Sequence, residues 1–211
     1  MIESFLSFLV TPPANITVTL CWSVIGLMIG SFLNVVIYRI PIMMQRESEN
    51  YLALENDQPP PHTASYNLIT PRSACTSCGH KLTLIDNIPV LSFAWLKARC
   101  RYCKASVSWR YPSIELITAA LTALVIWHLG SGIAGLSGLL LLWMLIAMSF
   151  IDLDTQLLPD ELTLPLLWLG LLINLNGTFV PLRDAVIGAA AGYLFCGWCT
   201  GCFSLRPAKK A

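Results

Sequence analysis

Residues 133–151 read Ile-Ala-Gly-Leu-Ser-Gly-Leu-Leu-Leu-Leu-Trp-Met-Leu-Ile-Ala-Met-Ser-Phe-Ile, an apolar run without a formal charge, and Asp152 stands immediately after it. A run of this length suits the roughly 17–25 residues that cross a bilayer as a helix. Comparable stretches near 15–38, 113–129, 162–180 and 183–203 bring the expected number of spans to about five. Composition agrees: of 211 residues, 55% are hydrophobic and 12% charged, against about a quarter charged in a soluble domain. The predicted fold is all-α, a polytopic membrane helical bundle.

The expected division is a first span over 1–38, a polar domain over 39–112, a four-span helical domain over 113–205 and a tail over 206–211. No basic residue precedes the first stretch and no small-residue cleavage site ends it, so it reads as a retained span rather than a signal peptide. Nine of the 13 Lys and Arg residues fall between Arg39 and Arg110. The positive-inside rule then makes 39–112 cytoplasmic and the N-terminus external. Threading five spans from there brings the 152–161 loop and the tail to the cytoplasmic side too. A net charge of +1 offers no broad basic surface for phosphates, which argues against nucleic acid as a partner.

Within the polar domain, Pro59-Pro60-Pro61 suits an extended linker, and a cysteine-rich module follows over 72–112. At under 45 residues such a module is too small for a self-sufficient apolar core. Cys75-Thr-Ser-Cys78 and Cys100-Arg-Tyr-Cys103 are two CxxC pairs with 21 residues between them. Four thiolates at this spacing close a tetrahedral zinc site. Two disulfides or a redox pair are the competing readings, but a reducing cytoplasm and the lack of a thioredoxin-like pattern weigh against them. A complete four-cysteine set leaves no open position for water, so the zinc is expected to be structural, its binding energy standing in for the missing core. His80 reads as a surface residue. Cys21 and the cysteines at 196, 199 and 202 read as packing residues of apolar stretches.

Asp152 ends a stretch free of formal charge since Glu115, and an ionisable group at such a place marks function by default. Asp154, Asp160 and Glu161 read first as solvated loop charges, with Asp160 also placed to cap a following helix. Aspartic hydrolysis needs two carboxylates sharing a proton. The partners on offer for Asp152 are Asp154, Asp160 and Asp184, the last threaded to the opposite membrane face.

Several separate stretches resemble the bacterial prepilin peptidase family, also called type IV leader peptidases: Gly30-Ser-Phe-Leu-Asn34-Val-Val-Ile-Tyr-Arg39-Ile-Pro41, the paired CxxC knuckles with Asn87-Ile-Pro89 between them, Arg110-Tyr-Pro-Ser-Ile-Glu115-Leu, and Ile151-Asp-Leu-Asp-Thr-Gln-Leu-Leu-Pro-Asp160 with Leu162-Thr-Leu-Pro-Leu-Leu-Trp168. Their order matches from about residue 20 to 194. The resemblance implies a bacterial inner-membrane aspartic endopeptidase that cuts the short basic leader from type IV prepilins or type II secretion pseudopilins. It also implies N-methylation of the exposed residue, with S-adenosylmethionine as donor. In the family's pattern the first catalytic aspartate falls on Asp152, and its partner belongs to a later Gly-x-Gly-Asp motif.

After Gly192-Tyr-Leu194 the sequence departs from that pattern, ending Phe195-Cys-Gly-Trp-Cys-Thr-Gly-Cys-Phe-Ser-Leu-Arg-Pro-Ala-Lys-Lys-Ala211. A shifted codon reading from the third base of Trp198 forces Val and then permits Tyr-Trp-Leu-Phe; from the third base of Arg206 it permits Thr-Gly-Lys-Glu-Gly. The expectation is therefore a frameshift near residues 194–197, with Cys196, Cys199 and Cys202 as by-products, and a chain with little or no protease activity because the second aspartate is missing. The rival expectation, from another class, is a non-catalytic membrane remnant or a zinc-dependent binding scaffold. No Gly-rich nucleotide loop follows a strand, so methyl transfer rests on the resemblance alone.

Other residues have simpler readings. Gly26 and Gly30 form a Gly-x-x-x-Gly that suits close helix packing, and Asn34 suits a hydrogen bond between helices. Trp95, Trp109 and Tyr111 suit the membrane interface. Glu115, near the start of a span, needs a partner, for which Arg110 is a candidate.

Overall fold

The computed structural model describes residues 15–83, 86 and 88–204, of which 196–204 are described by backbone alone. The predicted tail with Arg206, Lys209 and Lys210, the side chains of Cys196, Cys199 and Cys202, and Asn87 of the resemblance motif lie outside what is described. The chain divides into two compact units, Met1–Leu162 and Thr163–Ala211. Among the described residues six α-helices follow one another: α1 (Ile16–Glu55), α2 (Leu91–Trp95), α3 (Arg110–Leu129), α4 (Ile133–Thr155), α5 (Asp160–Ile173) and α6 (Leu182–Ser204). Among the described residues three of them, α1, α3 and α4, are long and apolar enough to cross a membrane.

Helix α1 starts at an Asn15 cap, whose side chain accepts from the Thr17 amide at 3.1 Å. It runs through Pro41 to Glu55, well past the end expected for the first span, at the cost of the one backbone hydrogen bond that proline removes. The chain then doubles back, and Asn50 exchanges two hydrogen bonds with the backbone of His62 at 3.0 and 2.9 Å.

The buried residues of α1, namely Val18, Trp22, Gly26, Gly30, Leu33 and Ile37, recur every three or four positions and so form one stripe. That stripe packs chiefly on α3. Between lipid-embedded helices the hydrophobic effect supplies little, and close contact through small residues supplies more. Here a Cβ added at Gly26 would lie 2.8 Å from Thr122 Oγ1, and one at Gly30 would lie 2.7 Å from the Glu115 Cα. The Gly-x-x-x-Gly reading is realised as a contact that only glycine permits. Two polar groups inside the contact find partners, as Trp143 Nε1 donates to Thr122 Oγ1 at 3.0 Å and Thr118 Oγ1 donates to the Ile114 carbonyl at 2.7 Å, whereas the buried Trp22 Nε1 finds none among the described residues. One apolar cluster, built on Leu33, Ile37, Ile114, Ile146 and Ile151, closes the end of the three-helix unit nearest the cysteine module.

In the second unit the stretch expected to span over 162–180 is helical only as far as Ile173, 14 residues from Asp160, which rises about 21 Å. Asn174 ends it: its Oδ1 accepts the Phe179 and Val180 amides at 3.1 and 3.2 Å, and Gly177 turns the chain at φ +65°. Asp160 and Glu161 occupy the first turn of α5, where negative charge complements the helix dipole.

Candidate metal centre and carboxylate site

The cysteine module is built from two copies of one backbone device. In the first, the Cys75 amide donates to the His80 carbonyl (2.9 Å), the Gly79 amide to Cys75 (2.9 Å) and the Leu82 amide to Ser73 (2.8 Å). In the second, Cys100 donates to Ala105 (2.8 Å), Lys104 to Cys100 (3.1 Å) and Val107 to Ala98 (2.8 Å). Every partner in the second set lies 25 positions after its counterpart. Antiparallel bridges pair Ala74 with Lys81 and Arg99 with Ser106 at the same offset. Each turn needs a left-handed residue, Gly79 at φ +69° and Lys104 at φ +61°. Across the two copies the His80 ring lies 3.5 Å from the Tyr102 ring, centroid to centroid, so His80 packs between knuckles.

The two turns bring the sulfurs of Cys75, Cys78, Cys100 and Cys103 within 4.8 Å of one another, with Cys75 and Cys103 Sγ 3.8 Å apart. A disulfide would hold two sulfurs at about 2 Å. A tetrahedron with metal–sulfur bonds of about 2.3 Å has an edge of about 3.8 Å, so the four thiols fit a metal ion and not two disulfides. Hydrogen bonds from the Cys78 and Ser77 amides hold the Cys75 thiol down to about 6. At Cys103 the Ala105 amide acts in the same direction, but lost hydration and hydrogen bonds to the other thiols outweigh it and push the group up to about 11. Beside the cluster, Asp86 is held below the usual carboxylate range by hydrogen bonds from Thr83 and by Arg101, whose Nε lies 2.8 Å away.

Asp152 sits in the last turn of α4, next to the fully buried Ile151. Its carbonyl accepts both the backbone amide (2.8 Å) and the side-chain amide (3.0 Å) of Gln156, whose left-handed conformation ends the helix. Its carboxylate is exposed and, among the described residues, makes no hydrogen bond or ion pair. Asp154 is engaged elsewhere: Arg110 Nη2 donates to its Oδ2 at 2.5 Å. Asp184 opens α6 in the second unit.

That ion pair corrects one expectation. Arg110 does not serve Glu115, because positions five apart on a helix point about 140° away from each other. Glu115 instead accepts the Val90 amide at 2.7 Å, fixing a β-branched residue at φ +55°, a conformation such residues seldom adopt. Asn34 bridges helices as its position suggested, donating to the Tyr111 carbonyl at 3.1 Å. Arg39, which no spacing singled out, is buried and holds the 66–71 loop through the carbonyls of Asn67 (2.8 Å) and Pro71 (2.5 Å). Between α1, the module and the start of α3 lies a cavity of about 530 Å³, lined by Asn34, Arg39, Arg72, Phe93, Tyr111 and Glu115 among others.

Residues 24–129 match the profile of the Bacterial Peptidase A24 N-terminal domain, and residues 139–204 match that of the Type IV leader peptidase family. The chain is similar to proteins named prepilin leader peptidase/N-methyltransferase. That of Aeromonas salmonicida is 54% identical over 188 residues, covering 88% of this chain and 65% of the relative. The Pseudomonas aeruginosa protein is 50% identical over 179 residues, with 83% and 61% covered. The Neisseria gonorrhoeae protein is 47% identical over 177 residues, with 81% and 60% covered. The chain thus spans less than two thirds of the length of these curated relatives. No solved structure matches it.

Proposed function

Since the chain belongs to the type IV leader peptidase family, we propose that it supplies the first of two acids to a bacterial inner-membrane aspartic endopeptidase that removes the leader from type IV prepilins or type II secretion pseudopilins. The observation that carries this reading is Asp152: an exposed carboxylate without an ion-pair partner among the described residues, held at the end of a membrane-length helix beside an aspartate that Arg110 has already neutralised. In this role Asp152 holds or moves the proton exchanged with the attacking water, sharing it with a second acid. Asp154 is not that acid, being committed to Arg110. The basic bias of residues 39–110 supports a cytoplasmic position for the module and for Asp152.

The four cysteines would hold zinc as a closed structural site, which gives the module its stability and takes no part in hydrolysis. For the methyl transfer in the relatives' name, we assign S-adenosylmethionine to the 530 Å³ cavity. The volume lies within the range of ligand pockets, and the lining offers aromatic faces, guanidinium groups and the buried Glu115 carboxylate. That donor supplies the methyl group; the lining residues bind and orient it.

The test is to introduce Asp152→Asn into the gene and follow a prepilin by size and N-terminal sequencing. Unprocessed prepilin should accumulate while the protein keeps its level and its zinc. Continued appearance of mature pilin would remove Asp152 from the mechanism.

A further inference from the structure

Two contacts mark a common level on the three-helix unit. Asn34 of α1 meets the Tyr111 carbonyl at the start of α3, and Arg110 beside it meets Asp154 in the last turn of α4. Here three membrane-length helices reach the same height, with Trp109 directly before the first residue of α3 and 71% exposed. A bilayer crossed by these three helices has its module-side boundary near this height.

Helix α2 is not held above that boundary. The backbone that leads into it is fastened through the Val90 amide to Glu115, five residues, or about 7 Å, inside α3. Since helical side chains lean toward the N-terminus, the attachment falls between the levels of Glu115 and Arg110. A second contact agrees: Phe93 packs edge-on against Trp109, with ring centroids 4.8 Å apart. With Phe93 turned toward Trp109, α2 presents Leu91 and Trp95 one turn apart on one face, 69% and 87% exposed. Exposed Lys97 and Arg99 follow at once.

We propose that residues 88–95 form an interfacial wedge, in which Leu91 and Trp95 lie at the boundary of lipid headgroups and acyl chains beside Trp109 and dock the metal module on the bilayer surface. Lipid is the occupant that the position selects: the wedge is fastened to a membrane helix at or below that helix's end. Aromatic rings of this amphipathic kind gather at headgroup level, and the neighbouring cations suit lipid phosphates. The inference stands on geometry alone and holds whether or not the chain cleaves a prepilin.

The experiment uses the full chain in phosphatidylcholine nanodiscs, with lipids brominated near the glycerol end or near the methyl end of the acyl chain. The emission of Trp95 is read as wild type minus Trp95→Phe, and that of Trp109 as wild type minus Trp109→Phe, both variants first shown to retain zinc. The Trp95 component should lose as large a fraction as Trp109 to bromine near the glycerol end, lose less to bromine near the methyl end, and be protected from aqueous acrylamide. Leu91→Trp reports the same face if Trp95→Phe loses its metal, and its added emission should behave alike. Quenching of these components by acrylamide but not by bromolipid would overturn the wedge. Protection from both quenchers would also overturn it, since a second copy or another protein would then cover the face.

Discussion

Arg110 Nη2 donates to Asp154 Oδ2 at 2.5 Å, joining the first residue of one membrane-length helix to the last turn of another. Two residues before Asp154 stands Asp152, so the pair fixes the turn that carries the proposed catalytic acid. Both side chains remain more than a third exposed, at 42% and 35%, so the stability effect of Arg110→Ala should stay below about 1 kcal/mol. The effect on processing should be larger, a several-fold slower appearance of mature pilin, with Asp154→Asn and the double variant alike because they break the same pair. A double-variant cycle on the processing rate reads this directly; additive losses would show that the two residues act separately.

Glu115 should behave as an anchor. Glu115→Gln keeps an oxygen for the Val90 amide and should leave thermal stability nearly unchanged, whereas Glu115→Ala frees Val90 and should cost about 2 kcal/mol. Limited proteolysis of the 88–109 region separates the two, with cutting expected only in the alanine variant.

The repeat inside the metal module predicts opposite outcomes at equivalent positions. Gly79 and Lys104 occupy the same left-handed turn 25 residues apart. Lys104→Gly should stabilise the module by about 1 kcal/mol and Gly79→Ala should destabilise it by a similar amount. Slower or faster zinc release to a chromophoric chelator measures each.

Zinc retention should fall as pH is lowered, because every cysteine must shed its proton to bind. Asp86 adds a smaller term of the same sign. Its pKa is depressed in the folded module, so its contribution is present above the unfolded carboxylate value of about 4 and vanishes as pH drops through the folded one. Asp86→Asn should remove this acid-side component and leave zinc retention at neutral pH intact; an unaltered acid profile would exclude the Asp86–Arg101 pair as its source.

At the helix contact, Gly30→Ala would drive a methyl group against the backbone of Glu115. A backbone neighbour cannot rotate aside, so the α1–α3 contact must open at a cost of about 1–3 kcal/mol. Thermal unfolding in detergent should show it, and Gly188→Ala, whose Cβ would meet nothing within 4 Å, should not.

What depends on neighbouring residues could be read without coordinates. Apolar runs make helices, and the cysteine pairs predict a metal cluster because each CxxC closes its own turn. Gly26 and Gly30 announce close packing through their spacing, and Asp152 is conspicuous because it ends an uncharged run. Even here, α5 fell short of its expected length, since Asn174 satisfies backbone amides beyond the helix and stops it. The partners of Glu115, Arg110 and Arg39 could not be read. Val90 lies 25 positions from Glu115, Asp154 lies 44 from Arg110, and the carbonyls that Arg39 holds lie 28 and 32 away. Which donor meets which acceptor follows from the height at which the helices stop and from the loops folded against them. A charged group away from water takes whatever partner the packing leaves within reach, and only the tertiary structure fixes that choice.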